Sequence, residues 1–386
     1  MTSARRSRIP EERELRLWRV GRALTLIFAA AVLVAGGVFY SLVLLLDVQE
    51  IDRTAKLDAK TLFDLVKLSF GVVAGAGALV ALVVAYRRQR VDEAGAHREA
   101  TRLHTERFSQ AVDKLGSDFP AVRLGGVHAL AGLADDAPDD DLRQTCVDVL
   151  CAYLRLPHSP DPGDDPAHLE EHHHYLALRE VRHTILRLIG DHYRRPEGTH
   201  RSWQGCDLDL TSTVIDGRLD FSGATFSGGT VNFSGATFPD SNVNFSGATF
   251  PDGLVDFRGA RFSDGFADFY GATFSGGYLN FRGAKFSDSM ADFSSATFSD
   301  GLVDFGGAAF PGGGVNFDRA RFSGGRVTFR GARFSGGFVD FHGTAFSGGT
   351  VDFSGATGPI PRGLLDTGDT PPAGVTQSSA WLRSAS

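Results

Sequence analysis

Between Phe221 and Phe353 the chain repeats itself every twelve residues, and no other feature limits its fold as tightly. Phe recurs at 221, 233, 245, 257, 269, 281, 293, 305, 317, 329, 341 and 353. A second Phe column, from 226 to 346, follows five residues behind the first. A unit this short cannot bury its own apolar face, so it folds only by stacking on its neighbours as a solenoid. Each twelve divides as five, five and two: Val231 to Gly235, Ala236 to Asp240, then the spacer Ser241-Asn242. Within a five, a small or apolar residue and a Phe stand two apart, so both point to one side of an extended segment. The Asn, Asp or Thr between them faces water. The Ser-Gly pairs that follow Phe supply tight corners.

Units of five with a central Phe and a small residue two before it resemble the pentapeptide-repeat family over roughly residues 206–357. The resemblance implies a right-handed, four-sided β-helix. The two-residue spacer departs from the family pattern and leaves two coil sizes to choose between. A twelve-residue coil would press two Phe, a Val and an Ala between facing sheets, which need about 10 Å of separation in a close-packed interior. A twenty-four-residue, four-sided coil holds the same layer with less crowding. The basic pairs Arg258/Arg261, Arg282/Lys285 and Arg330/Arg333 fall in alternate repeats, which agrees with twenty-four. At that size the solenoid has about six coils and a length of roughly 30 Å at ~4.8 Å per coil.

Ahead of the repeat, residues 1–22 form a basic tail. The uncharged run 23–46 is long enough for a bilayer and longer than a usual signal-peptide core. A second apolar run, 65–86, ends at Arg87-Arg88-Gln89-Arg90. Arginine before the first run and after the second predicts a membrane hairpin with residues 47–64 outside and both termini and the repeat domain cytoplasmic. Gly71 and Gly75 form a GxxxG, which suits close packing of two spans or is ordinary membrane-helix content. Residues 87–202 read as a helical adaptor, in which the pair at 121–156 resembles a HEAT-type hairpin. Residues 203–357 are the repeat β-helix, with Trp203 expected over its first coil. The tail 358–386 is rich in Pro, Gly, Ser and Thr and reads as disordered. The expected fold class is thus two transmembrane helices, a small HEAT-like helical domain and a right-handed four-sided β-helix. This layout is similar to membrane-anchored pentapeptide-repeat proteins of the actinobacterial type, and it places the chain as a multi-pass protein of the plasma membrane.

Little in the sequence points to catalysis. The formal charge of −7 does not suggest a nucleic-acid binder, and three cysteines are too few for a disulfide framework. His168-Leu169-Glu170-Glu171-His172 fits the H-x-x-E-H pattern of one zinc-peptidase group. It lies in the run HLEEHHHYL after an acidic loop, where the same residues serve as a solvated helix face, and no further Glu stands out as a third ligand. Cys146 and Cys151 are five apart on a helix and point to different faces, as structural thiols do. Some pentapeptide-repeat proteins mimic DNA and act on type II topoisomerases. Duplex DNA carries one charge per ~1.7 Å of axis, however, and here acidic residues are largely offset by basic ones.

The expected function is therefore a non-catalytic, membrane-tethered scaffold without cofactor. A DNA-mimic topoisomerase-protecting role is the first alternative, and a zinc-dependent hydrolase at HLEEH the second. With a twenty-four-residue coil, Arg258, Arg282 and Arg330 share one side, with Arg261, Lys285 and Arg333 beside them. That stripe is the candidate partner site, for an unidentified protein or for anionic lipid headgroups, and homo-oligomers are compatible with it. The competing reading is that these residues serve only solubility.

Overall fold

The computed structural model describes residues 28–29, 32–34, 36–37, 40–41, 59–157, 161–163, 165–240, 242–364 and 372–382. It divides into two compact units, Met1–Glu99 and Ala100–Ser386.

The expected membrane hairpin is not supported. Run 23–46 lies almost wholly outside the described residues, as do the basic tail and most of the 47–64 loop. Run 65–86 is the first part of one long helix, α1 (Ala59–Leu115), which continues without a break through Arg87, Arg88 and Arg90. Among the described residues, no helix is long and apolar enough to cross a membrane. A span takes about 20 consecutive apolar residues. The described stretch from Gly71 to Tyr86 is diluted by Ala74, Gly75, Gly77, Ala78, Ala81 and Ala85, which contribute little transfer free energy. This corrects the expected two-helix anchor, and with it the multi-pass plasma-membrane location.

In the second unit, α2 (Pro120–Asp135) starts with Pro at its first position, where the lost N–H costs nothing. Helix α3 (Asp140–Arg155) starts at Asp139, whose carboxylate accepts the Leu142 N–H. The two pack as the expected hairpin, burying Val127, Leu130, Val147, Leu150 and Leu154. Helix α4 (Leu169–Tyr193) follows a 3-10 turn at Pro166–His168.

From Leu208 the chain winds through four parallel sheets, visited in a fixed cycle of A, B, C and D. Sheet A has eight strands, C has six, and B and D have five each. The register gives the coil size directly. Val255 pairs with Leu279 and Leu279 with Val303 on sheet A, Phe262 with Phe286 on B, Ala267 with Ala291 on C, and Phe274 with Phe298 on D. Every partner is twenty-four residues on, so two sequence repeats make one four-sided coil. Inside a coil, Val255, Phe257, Ala260, Phe262, Ala267, Phe269, Ala272 and Phe274 are all buried. The Phe residues stack coil on coil in four ladders, for example Phe257 on Phe281 at 4.9 Å and Phe262 on Phe286 at 4.7 Å between ring centroids. This near-parallel stacking repeats at the coil rise and adds to the area burial of each ring.

Both ends of the solenoid are covered. Tyr193 of α4, not Trp203, lies over the first Phe rings, at 5.9 Å from Phe221 and 5.3 Å from Phe226. Trp203 is buried but stacks on His192 at 4.0 Å. A first coil has no coil before it to bond its backbone. Donors from α4 and its C-cap take that place: Arg182 to Val214 O, His183 to Asp216 O and the C-cap Arg194 to Asp220 O. The described part of the tail is not disordered. Val375–Thr376 adds a strand to sheet A beside Val351, and Trp381 sits against Phe353 with its indole N–H bonded to Gly358 O.

Candidate interaction surface

Because the register never slips, a residue type chosen every twenty-four positions becomes a stripe on the surface. The outward Asn and Asp column shows what the corners need. Asn232, Asn244, Asp256, Asp268, Asn280 and Asp292 each accept the backbone N–H two residues on, at 2.8–3.0 Å. These are Asx turns that close the corner after each strand. Thr328 does the same through its hydroxyl.

The corner between sheets A and B collects Arg258, Arg282, Gly306 and Arg330, linked in that order by corner hydrogen bonds from one coil to the next. Beside it, the first outward column of sheet B runs Thr237, Arg261, Lys285, Ala309 and Arg333. The six basic residues singled out from sequence therefore lie along one edge, in two groups. Arg258, Arg261, Arg282 and Lys285 occupy two successive coils. Gly306 and Ala309 leave the next coil bare, and Arg330 and Arg333 follow. Arg326, which the sequence reading missed, faces out of sheet A in register with Leu302. With Arg258, Arg282 and Arg330 it lines a shallow hollow of about 750 Å³ over Asp304 and the Gly306-Gly307 corner. Its position twenty-four residues after Leu302 was the available signal.

The charges on this edge are incompletely matched. Arg258 lies 3.8 Å from Asp256, and Arg282 lies 4.0 Å from Asp304. Both carboxylates already accept a corner N–H, from Arg258 and Gly306. Burial would raise the Asp352 pKa, but hydrogen bonds from Ser354, with Arg330 and Arg326 nearby, hold it below the usual carboxylate value. Among the described residues, Arg261, Lys285 and Arg333 form no ion pair within 4.0 Å. Arg261 and Lys285 are direct register neighbours, an arrangement that costs energy unless an anion screens it. The opposite edge, between C and D, carries Ser246, Tyr270, Ser294, Asp318 and His342, with Thr249, Thr273, Thr297, Arg321 and Ala345 beyond it on sheet D. Half of these residues are Ser or Thr, and Arg319 and Arg321 add cations near its far end.

The HLEEH residues do not converge. His168 ends the 3-10 turn with its Nδ1 3.3 Å from Glu171, and His172 Nδ1 lies 2.7 Å from Asp161. Among the described residues no group of three or more His, Cys, Asp or Glu is placed to hold a metal ion. Cys146, Cys151 and Cys206 are free and buried, and burial pushes their thiols up to about 12, 12 and 11. Such thiols stay protonated and unreactive.

A family model described as pentapeptide repeats, nine copies, matches residues 210–254. This covers the start of the solenoid, whose register continues unchanged to Phe353. The similarity extends to the repeat and its β-solenoid, and to neither a membrane anchor nor an actinobacterial origin. No curated protein and no solved structure matches the chain.

Proposed function

We propose that this pentapeptide-repeat solenoid is a protein-interaction scaffold that receives an acidic segment of a partner along its A–B corner. The observation that carries this reading is the register pairing of Arg261 with Lys285, outward and without a carboxylate partner among the described residues, next to the Arg258–Arg282–Arg330 column. The stacked Phe ladders support it by making the face rigid, so that binding orders few side chains beyond the arginines themselves. Alternation of Arg with Asp along the A–B corner weighs against a DNA mimic, which needs a dense run of one sign. No catalytic step belongs to this reading.

The test compares the full chain with a variant carrying R258S, R261S, R282S, K285S, R330S and R333S. The probe is fluorescent poly-L-glutamate, read by anisotropy at low and high salt. Expected are a loss of about tenfold or more in affinity, a flattened salt dependence and an unchanged circular dichroism spectrum. Equal binding by the two proteins would remove the corner from the account. Binding to phosphatidylserine vesicles without binding to poly-L-glutamate would assign the stripe to lipid headgroups and overturn the reading.

A further inference from the structure

A second site lies away from the stripe, where α4 meets the first coil. A cavity of about 840 Å³ opens between Arg123, Tyr153, Tyr175, Leu178, Arg182 and Asp216, with Leu156, Pro157 and Pro162 on its apolar side. Cavities of this size, mostly apolar with a few converging polar groups, are the usual form of a small-molecule site.

Its inner wall carries an unusual charge. Arg182 is 5 % exposed, yet its guanidinium has no carboxylate within ion-pair distance among the described residues. Two of its five N–H groups are engaged, both by backbone carbonyls, at Leu154 O and Val214 O. The nearest acid, Asp216, is already held by the Tyr175 hydroxyl at 2.8 Å and Arg179 Nε at 3.0 Å. A guanidinium withdrawn from water costs several kcal/mol unless an anion meets it. Burial accordingly lowers the Arg182 pKa, with Asp216 opposing the shift from a distance.

Two neighbours add to this wall. Arg123 spends Nε on Ser117 O and one Nη on the Tyr153 hydroxyl, again without a carboxylate. Tyr153 accepts that bond, which leaves its own O–H to donate. Three donors without acid partners therefore face one apolar-sided cavity. Of the acids that line it, Glu170 and Glu171 are exposed at its rim, and Asp216 is held by Tyr175 and Arg179.

We propose that this cavity binds a small organic oxyanion, a carboxylate or phosphate ester. Its charged end meets Arg182, Arg123 and Tyr153, and its apolar body lies against Leu156, Leu178 and the two prolines. Recognition follows from paired guanidinium donors that fit planar or tetrahedral oxyanions. The outer acids favour ligands with a single anionic end. This site is independent of the A–B corner, since none of its residues belongs to the stripe.

Titration calorimetry on the full chain tests it with benzoate, phenyl phosphate and inorganic phosphate. At least one organic probe should bind one to one, and about tenfold or more tighter than inorganic phosphate, which lacks the apolar body. Whichever of benzoate and phenyl phosphate wins identifies the oxyanion. Arg123→Gln and Leu178→Trp should each weaken that probe by about tenfold or more, the first by removing a charge and the second by filling the cavity. Arg182→Gln should abolish binding. Because Arg182 also holds two carbonyls, Arg123→Gln decides the matter if that variant does not fold. Absence of binding by all three probes at millimolar concentration would overturn the proposal, as would wild-type affinity in both Arg123→Gln and Leu178→Trp. Inorganic phosphate binding as tightly as phenyl phosphate would overturn the organic class.

Discussion

The solenoid and the helices that precede it bury different things. In the coils the inward side chains are Phe, Val, Ala or a similar hydrocarbon apart from Thr213 and Thr344 near the two ends, and most polar side chains turn outward to close corners. The helical region instead buries His104, Arg182, Thr184 and His192. Its polar hub is Asp135 at the end of α2. The carboxylate takes the Trp203 indole N–H at 3.2 Å and Arg195 at 3.3 Å, and lies 3.0 Å from His192 Nε2. The coil stack is held by repetition of one apolar layer, whose stability is a sum of near-equal increments. The helical region is held at a few points that cannot be exchanged for one another, and those points also fasten it to the first coil.

Four substitutions sharpen or break this contrast, taken from the largest effect down. Phe281→Ala removes a ring stacked on Phe257 and Phe305, each at 4.9 Å, and should cost about 3–5 kcal/mol in thermal or urea unfolding. The same change at Phe257 or Phe305 should cost nearly as much, because the coils are equivalent. A spread of several kcal/mol among the three would mean that the layers are not.

Asp135→Ala strands the Trp203 indole N–H, takes the acid from Arg195 and from beside the buried His192 ring, and should cost about 2–3 kcal/mol. The loss should register in Trp fluorescence, since Trp203 stacks on His192. A negligible loss would show that the hub is ornamental.

Gly190→Ala probes the junction. A Cβ there would lie 2.2 Å from Asp220 O, so α4 must lift from the first coil. The expected cost is about 1–3 kcal/mol, read as faster hydrogen exchange at the first coil than at later ones. Uniform exchange across all coils would contradict the capping role of α4.

Asp268→Asn has the smallest effect and a definite sign. Burial, with Asp292 beside it on sheet C, raises the Asp268 pKa above its unfolded value. Between those two values the folded state holds more proton, so stability falls as pH rises through the window. The penalty is complete above the folded pKa and absent below the unfolded one. Asparagine keeps the acceptor for the Tyr270 N–H, as Asn244 and Asn316 do in the same column. The variant should gain about 0.3 kcal/mol at neutral pH, a figure kept small because the group is partly exposed, and nothing at pH below the carboxylate range. A gain that is equal at both pH values would show that the charge is not its source.

The coil was readable because its physics is local and repeated. Phe and a small residue two apart set the inward face, and the crowding of two Phe, a Val and an Ala in a twelve-residue coil set the coil size at twenty-four. The corners around the spacers alternate as well, in a way that the structure alone displays. Asp240, Asp264 and Asp288 hold left-handed backbone at φ 47, 55 and 51°, and all lie at the B–C corner. The spacers between them, at the D–A corner, carry Gly253, Gly277 and Gly301, where a Cβ would meet the previous coil at 2.5–2.9 Å. The two corners differ in backbone conformation, but the residue types do not repeat that difference, since Asp252 and Asp300 also stand at D–A corners and Gly265 at a B–C corner.

The helical hub was not readable. Asp135, His192 and Trp203 come from separate segments, and nothing in the order of the chain announces that they meet. The tail was misread because its composition hid Val375 and Trp381, whose partners are supplied by the last coil. The membrane hairpin was read from apolar run length, and the described helix, diluted with Ala and Gly and continuous with a charged stretch, did not bear it out.

Of the candidate stripe, the edge itself was legible from arginine spacing, while the bare coil at Gly306 and Ala309 and the added Arg326 emerged only from the register. The claim that this edge is where a partner docks can be tested most directly by site-specific photo-crosslinking of the full chain in the cells that make it. A photo-reactive residue at position 330 lies on the A–B corner, and one at position 294 lies on the opposite C–D corner. The account predicts a discrete crosslinked product from 330 that is lost at high salt, and none from 294. Equal products from both positions, or a product from 294 alone, would contradict it.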